Sequence, residues 1–187
     1  MTVDEIFSLI AEHMVEGLMT HAQLADYYNF LGLKGYQKCH EYHYFCENAN
    51  FRKITHYYIT HYNKLVMDRP FQNSNVISED WYQYSRSQVD APVRKSAIEF
   101  GIKKWVSWEK QTKKVYQQYY NELITLGEIA AAHELEKYIV DVDKELADAE
   151  QKLLNLKAID YNISDIMNVQ EEKYQKYKKK LKEIKLC

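Results

Sequence analysis

Proline and glycine are scarce in this chain, with 2 and 5 among 187 residues. Sheet-rich folds need frequent turns. With so few turn formers and no closely spaced alternation of polar and apolar residues, a β-sandwich is excluded and the chain reads as mostly helix. Cysteine is equally sparse: Cys39, Cys46 and Cys187 form no C-x-x-C pair. Cys39 and Cys46 lie seven residues apart on one helix, about 10 Å at the helical rise, too far to bridge. All three read as reduced core residues of a cytoplasmic protein. Neither charge dominates, since 25 Lys and Arg oppose 27 Asp and Glu for a net of -2. That balance gives no electrostatic ground for binding nucleic acid or a membrane surface. No uninterrupted apolar run is long enough to span a bilayer, and the first residues, MTVDEIFSLIAEHM, are too acidic for a signal peptide. One domain over residues 1–187 is the economical division.

What is abundant is helical periodicity and aromatic side chains, including 17 tyrosines. Thr2 and Asp4 suit the start of a first helix with the stripe Phe7, Ile10, Met14, Gly17, His21, Leu24 and Tyr28. The short segment NFLGLK then turns the chain back into a second helix over residues 35–63, forming a hairpin. From residue 66 to about 97 the pattern lapses through Pro70 and Pro92, a length suited to a crossover along a bundle. Residues 96–126 resume with Ile98, Ile102, Trp105, Trp108, Thr112, Val115, Tyr119 and Leu123. After Gly127, a fourth stripe runs Leu135, Tyr138, Val142, Leu146, Ala149, Leu153 and Leu156. Two antiparallel hairpins joined by one long crossover make a ferritin-like four-helix bundle over about residues 3–157. A short lysine-rich fifth helix follows at about 165–185, its charges expected on a solvated face.

The second helix departs from an ordinary core pattern. One face carries Tyr36, His40, His43, Glu47, Asn50, Ile54, Tyr57 and His61. Buried carboxylates and imidazoles need partners, so this face marks either a hydrogen-bonded polar core or a metal site.

At residues 25–38, ADYYNFLGLKGYQK resembles the first inter-helix turn of bacterial non-haem ferritins. Residues 115–126, followed by LEKYIVDVDKE at 135–145, resemble their third helix and the start of their fourth. The similarity covers about residues 5–157. It implies a shell of 24 subunits that takes up Fe(II), oxidises it with O2 and stores ferric mineral. Nucleic acid and membrane partners are not expected, and a DNA-protecting miniature ferritin is disfavoured by the fifth helix.

The resemblance also implies a ferroxidase centre: a Glu on the first helix, Glu-x-x-His on the second, Glu on the third, and Gln or Glu on the fourth. In this chain those positions fall on Met14, Glu47 with Asn50, Thr112 with Glu109 one turn earlier, and Asp143. Only Glu47 is unchanged. His21 stands where the family commonly has a Tyr, and His43 lies one turn before Glu47. A rebuilt iron site would therefore use Glu47 and Asp143 for catalysis, with His21, His43, Glu47, Asp143 and Glu145 as metal ligands. Three alternatives remain open: iron binding by wall acids such as Glu145 and Asp148, a non-catalytic shell mineralising through such carboxylates, and a metal-free interaction protein. His133 and Glu136 fall near the family's threefold channels.

Overall fold

The computed structural model describes residues 1–66, 77, 81 and 84–184. The middle of the crossover, with Pro70, and Cys187 lie outside them. Among the described residues there are five helices and one 3-10 turn, Arg86–Gln88, and no strand. The helices are α1 (Val3–Phe30), α2 (Lys34–Tyr62), α3 (Ala91–Thr125), α4 (Ile129–Ala158) and α5 (Ile163–Ile184).

Local chemistry sets the boundaries. Thr2 caps α1 in a reciprocal capping box with Glu5, and Asp4 and Glu5 place negative charge in the first turn. The α1–α2 and α3–α4 turns close alike. Leu33 N–H donates to the Tyr28 carbonyl and Glu128 N–H to that of Leu123, both at 2.9 Å, across Gly32 and Gly127 at φ +78°. These are Schellman motifs, whose left-handed residue glycine adopts without strain. The α4–α5 turn uses the same bond, Tyr161 N–H to Leu156 carbonyl, with Asp160 and Tyr161 both at positive φ. Helix α3 begins five residues before the expected Ser96. Asp90 caps it through Val93 N–H, and Pro92 lies in the first turn, where its missing N–H breaks no helical bond.

Contacts between distant residues give the directions. His13 of α1 meets Thr112 of α3 and Tyr27 meets Ala97, so these helices are antiparallel. Tyr62 of α2 meets Glu128, and His43 meets Glu145 of α4, so this pair is antiparallel too. With two antiparallel hairpins, α2 and α3 run parallel, as a long crossover requires.

Helix α5 is more than a solvated tail. It folds back parallel to α2: Gln170 abuts Gly35, Lys173 Nζ donates to Tyr36 OH at 3.0 Å, and Lys180 lies over the Tyr42 ring at 4.6 Å. A Cβ on Gly35 would overlap the Gln170 carbonyl oxygen, so this seam requires glycine. Ile166, Gln170, Tyr177 and Leu181 are the buried stripe, and most lysines face outward.

Two apolar clusters fill the bundle. One, near the α1–α2 turn, includes Leu24, Tyr28, Leu31, Tyr36, Ile98, Ile102, Trp105 and Tyr177. The other, at the opposite end, includes Ile6, Phe7, Ile10, Met14, Ile54, Tyr58, Tyr116 and Leu135. Polar residues lie between them.

Candidate metal centre

The middle layer takes His21 from α1, His40, His43 and Glu47 from α2, Glu109 from α3 and Glu145 from α4. The three-and-four spacing of His40, His43 and Glu47 puts them on one face of α2. Each is buried, as are His21 and Glu109; Glu145 is partly exposed. Gly17 makes room for Glu47, because a Cβ there would stand 3.3 Å from the Glu47 carboxyl carbon.

His21 Nδ1 and His40 Nδ1 share a hydrogen bond of 3.0 Å. His21 Nε2 is 3.7 Å from Glu109 Oε1, beyond hydrogen-bond reach, while Trp105 Nε1 donates to that same oxygen at 2.7 Å. His43 Nδ1 lies 3.3 Å from Glu145 Oε1. The rings of His40 and His43 flank Trp105, and His40 stacks on Tyr28 at 5.3 Å. His21 Nε2 and His40 Nε2 are buried with no hydrogen-bond partner, and neither nitrogen of His43 makes a well-aligned hydrogen bond, although its ring is ion-paired with Glu145 and lies against the Cys39 thiol. Unsatisfied buried polar atoms are unusual in a native core.

Protonation follows from burial. Removal from water pushes the Glu47 carboxyl up to about 8, helped by the nearby Glu145 and opposed by His43. Burial also raises Glu109 well above the carboxylate range, with Glu145 and Glu47 adding to it. It lowers His21 and His40 far below ordinary histidine, so both are neutral. Burial pulls His43 down as well, but Glu145 and Cys39 outweigh it and hold the ring protonated. Burial would raise Cys39; Lys152, His43 and Tyr177 together bring the thiol below its usual value. Among the described residues neither Glu47 nor Glu109 has a lysine or arginine ion-pair partner.

The structure thus gathers four of the predicted residues, His21, His43, Glu47 and Glu145, in one layer. Asp143 does not join them. It is about half exposed and pairs with Lys113 at 2.6 Å, because two residues along a helix is more than half a turn and carries it away from Glu145. Asp148 pairs with Lys152. Met14 is in the apolar layer, Thr112 bonds to His13 Nε2 at 2.9 Å, and Asn50 lines a cavity of about 530 Å³ between α2, α4 and α5. His43 and Glu145 also line that cavity, which connects the layer to the surface. His133 and Glu136 form an exposed 3.2 Å pair near the start of α4. His40 and Glu109 belong to the layer although neither was predicted as a ligand; the signal for each was its one-turn spacing from His43 and Thr112. Among the described residues no three His, Cys, Asp or Glu side chains already surround one point as metal ligands.

No protein-family model and no curated relative matches the chain. Solved structures do. A closed form of the Archaeoglobus fulgidus ferritin, engineered by mutagenesis, has a TM-score of 0.75 at 14% identity, covering 93% of this chain and 96% of that one. The open-pore ferritin of the same hyperthermophilic archaeon has a TM-score of 0.73 at 14% identity, covering 91% and 93%. A humanized archaeal ferritin gives 0.75 at 12% identity, covering 91% and 94%. The chain therefore has the all-α, ferritin-like fold, a four-helix bundle with a fifth helix.

Proposed function

We propose that this protein is an iron-storage ferritin with an atypical ferroxidase site, in which Fe(II) binds in the middle layer and is oxidised by O2. The observation that carries this reading is the pair of buried carboxyls, Glu47 and Glu109, beside the unpartnered Nε2 atoms of His21 and His40 and the His43 ring that faces Glu145. Carboxylate and imidazole together suit iron in both oxidation states. A cation would displace the protons held on Glu47, Glu109 and His43 and would supply a partner to the ring nitrogens that lack one.

In the reaction two Fe(II) each give one electron, and O2 takes both with two protons to become hydrogen peroxide. Glu47 and Glu109 lose their protons where the metal enters, so the same groups bind the cation and release protons for O2 reduction. Glu145, partly exposed at the cavity, would hand iron between solvent and His43. Ferric product then moves to a space enclosed by copies of the chain and mineralises; self-assembly, expected as 24 subunits, is part of this proposal.

The wall-acid alternative is weaker. Asp141, Asp143, Asp148 and Glu150 of α4 are each paired with a lysine, leaving Glu145 facing the imidazole. The test is O2 consumption on mixing with Fe(II). Glu47→Gln and Glu109→Gln should slow the initial phase at least tenfold; unchanged rates in both would move the chemistry out of the layer and overturn the proposal. Light scattering reports assembly separately.

A further inference from the structure

Beside the imidazoles, α2 and α4 meet in a second contact that the iron chemistry does not use. Lys152 of α4 is 8% exposed, and its Nζ lies 3.8 Å from Cys39 Sγ, 3.4 Å from Tyr177 OH and 4.4 Å above the Trp105 ring. Cys39 is 1% exposed. Lysine normally carries its ammonium out to water along a flexible stem. Here the stem lies buried between two groups: the Asp148 carboxylate pairs with the ammonium on one side, and the Cys39 sulfur faces it on the other. His43 and Tyr177 both contact the Cys39 thiol and both line the 530 Å³ cavity, so a small solute in the cavity is one side chain from the sulfur.

We infer that Cys39 and Lys152 are a peroxide-responsive pair that closes into a sulfenamide cross-link between α2 and α4. The sulfur attacks one oxygen of hydrogen peroxide, the O–O bond breaks and water leaves, giving a sulfenic acid. The Lys152 amine then attacks that sulfur, an S–N bond forms, the S–O bond breaks and a second water leaves. In sum, thiol, ammonium and peroxide become the sulfenamide, two waters and one proton released to solvent. Sulfur loses two electrons and peroxide gains them. Peroxide is the product of the proposed iron oxidation, to that extent the inference rests on that reading, but the pair's reactivity needs no iron.

The experiment uses metal-free protein carrying Cys46→Ser and Cys187→Ser, because a disulfide would also cost two hydrogens. On treatment with hydrogen peroxide the intact mass should fall by two hydrogens. The tryptic peptide of Cys39 should be joined to that of Lys152, cleavage after Lys152 should be lost, and dithiothreitol should restore both. Adding Lys152→Arg should abolish the cross-link and leave Cys39 as sulfinic acid. Unmodified Cys39, sulfinic acid in the presence of Lys152, or a cross-link that survives Lys152→Arg would each overturn the inference. Failure here leaves the iron reading untouched, and unchanged oxidation in Glu47→Gln leaves this one untouched.

Discussion

At the end of the bundle where α1 starts, Ile6, Phe7, Ile10 and Met14 pack against Ile54 and Tyr58, and the Tyr58 hydroxyl is satisfied by Asp4 at 2.6 Å. A few turns along, the same two helices meet through His21, His40, His43 and Glu47, with the Nε2 atoms of His21 and His40 unsatisfied. Burial of apolar surface stabilises the first region at roughly 25 cal/mol per Å². Burial of carboxyls and unpaired imidazoles costs stability in the second. The ends account for why the chain folds, and the middle carries the groups that the proposed iron binding would use.

That contrast can be broken from either side. Phe7→Ala should give the largest effect, a loss of about 3–5 kcal/mol in denaturant unfolding; a loss under ~1 kcal/mol would mean the end layer is not the main support. Loading the middle layer comes next. Anaerobic Fe(II), or redox-inert Zn(II), at about a hundred times its Kd should raise stability by ~2.7 kcal/mol, and Glu47→Gln should remove most of that gain. A metal-induced rise in Tm that Glu47→Gln leaves intact would place binding elsewhere.

A pH series without metal sharpens the comparison. The Glu47 pKa is raised on folding from 4.5 to about 8, so the folded state holds a proton that the unfolded chain releases. Its contribution is present in full below about 4.5 and is lost as pH rises towards 8. The stability difference between the natural protein and Glu47→Gln should shift in favour of the variant across that window and flatten above it. A pH-independent difference would show that Glu47 is not held protonated. The smallest effect belongs to Asp143→Asn, expected within about 0.5 kcal/mol and without change in oxidation rate, since its partner Lys113 is a surface pair.

Much of the fold was legible because each bundle helix carries an apolar stripe and the turns carry Gly32 and Gly127. The start of α3 was misplaced because Pro92 looks like an interruption, whereas a cap at Asp90 turns it into a first-turn residue. The docking of α5 was hidden: an amphipathic stripe shows that a helix packs but not on what. In the site, His21, His43 and Glu47 could be read from spacing along their own helices. Glu109 and Asp143 could not be sorted in the same way, since their inward or outward placement depends on how α3 and α4 are rotated. One residue of offset turns a helix by about 100° and exchanges a buried acid for a surface one.

The seam between α2 and α5 has a consequence for how the molecule comes into being. Tyr36 and Lys173 hydrogen-bond across 137 positions of chain. During synthesis the α1–α2 hairpin is complete long before its covering helix exists, and the sides of Tyr36 and Tyr42 that meet Lys173 and Lys180 stay uncovered until α5 arrives. Contacts so distant in sequence form late and slowly. Helix α5 thus acts as a closing stitch, and until it docks the α2 face that it covers is left as exposed apolar surface.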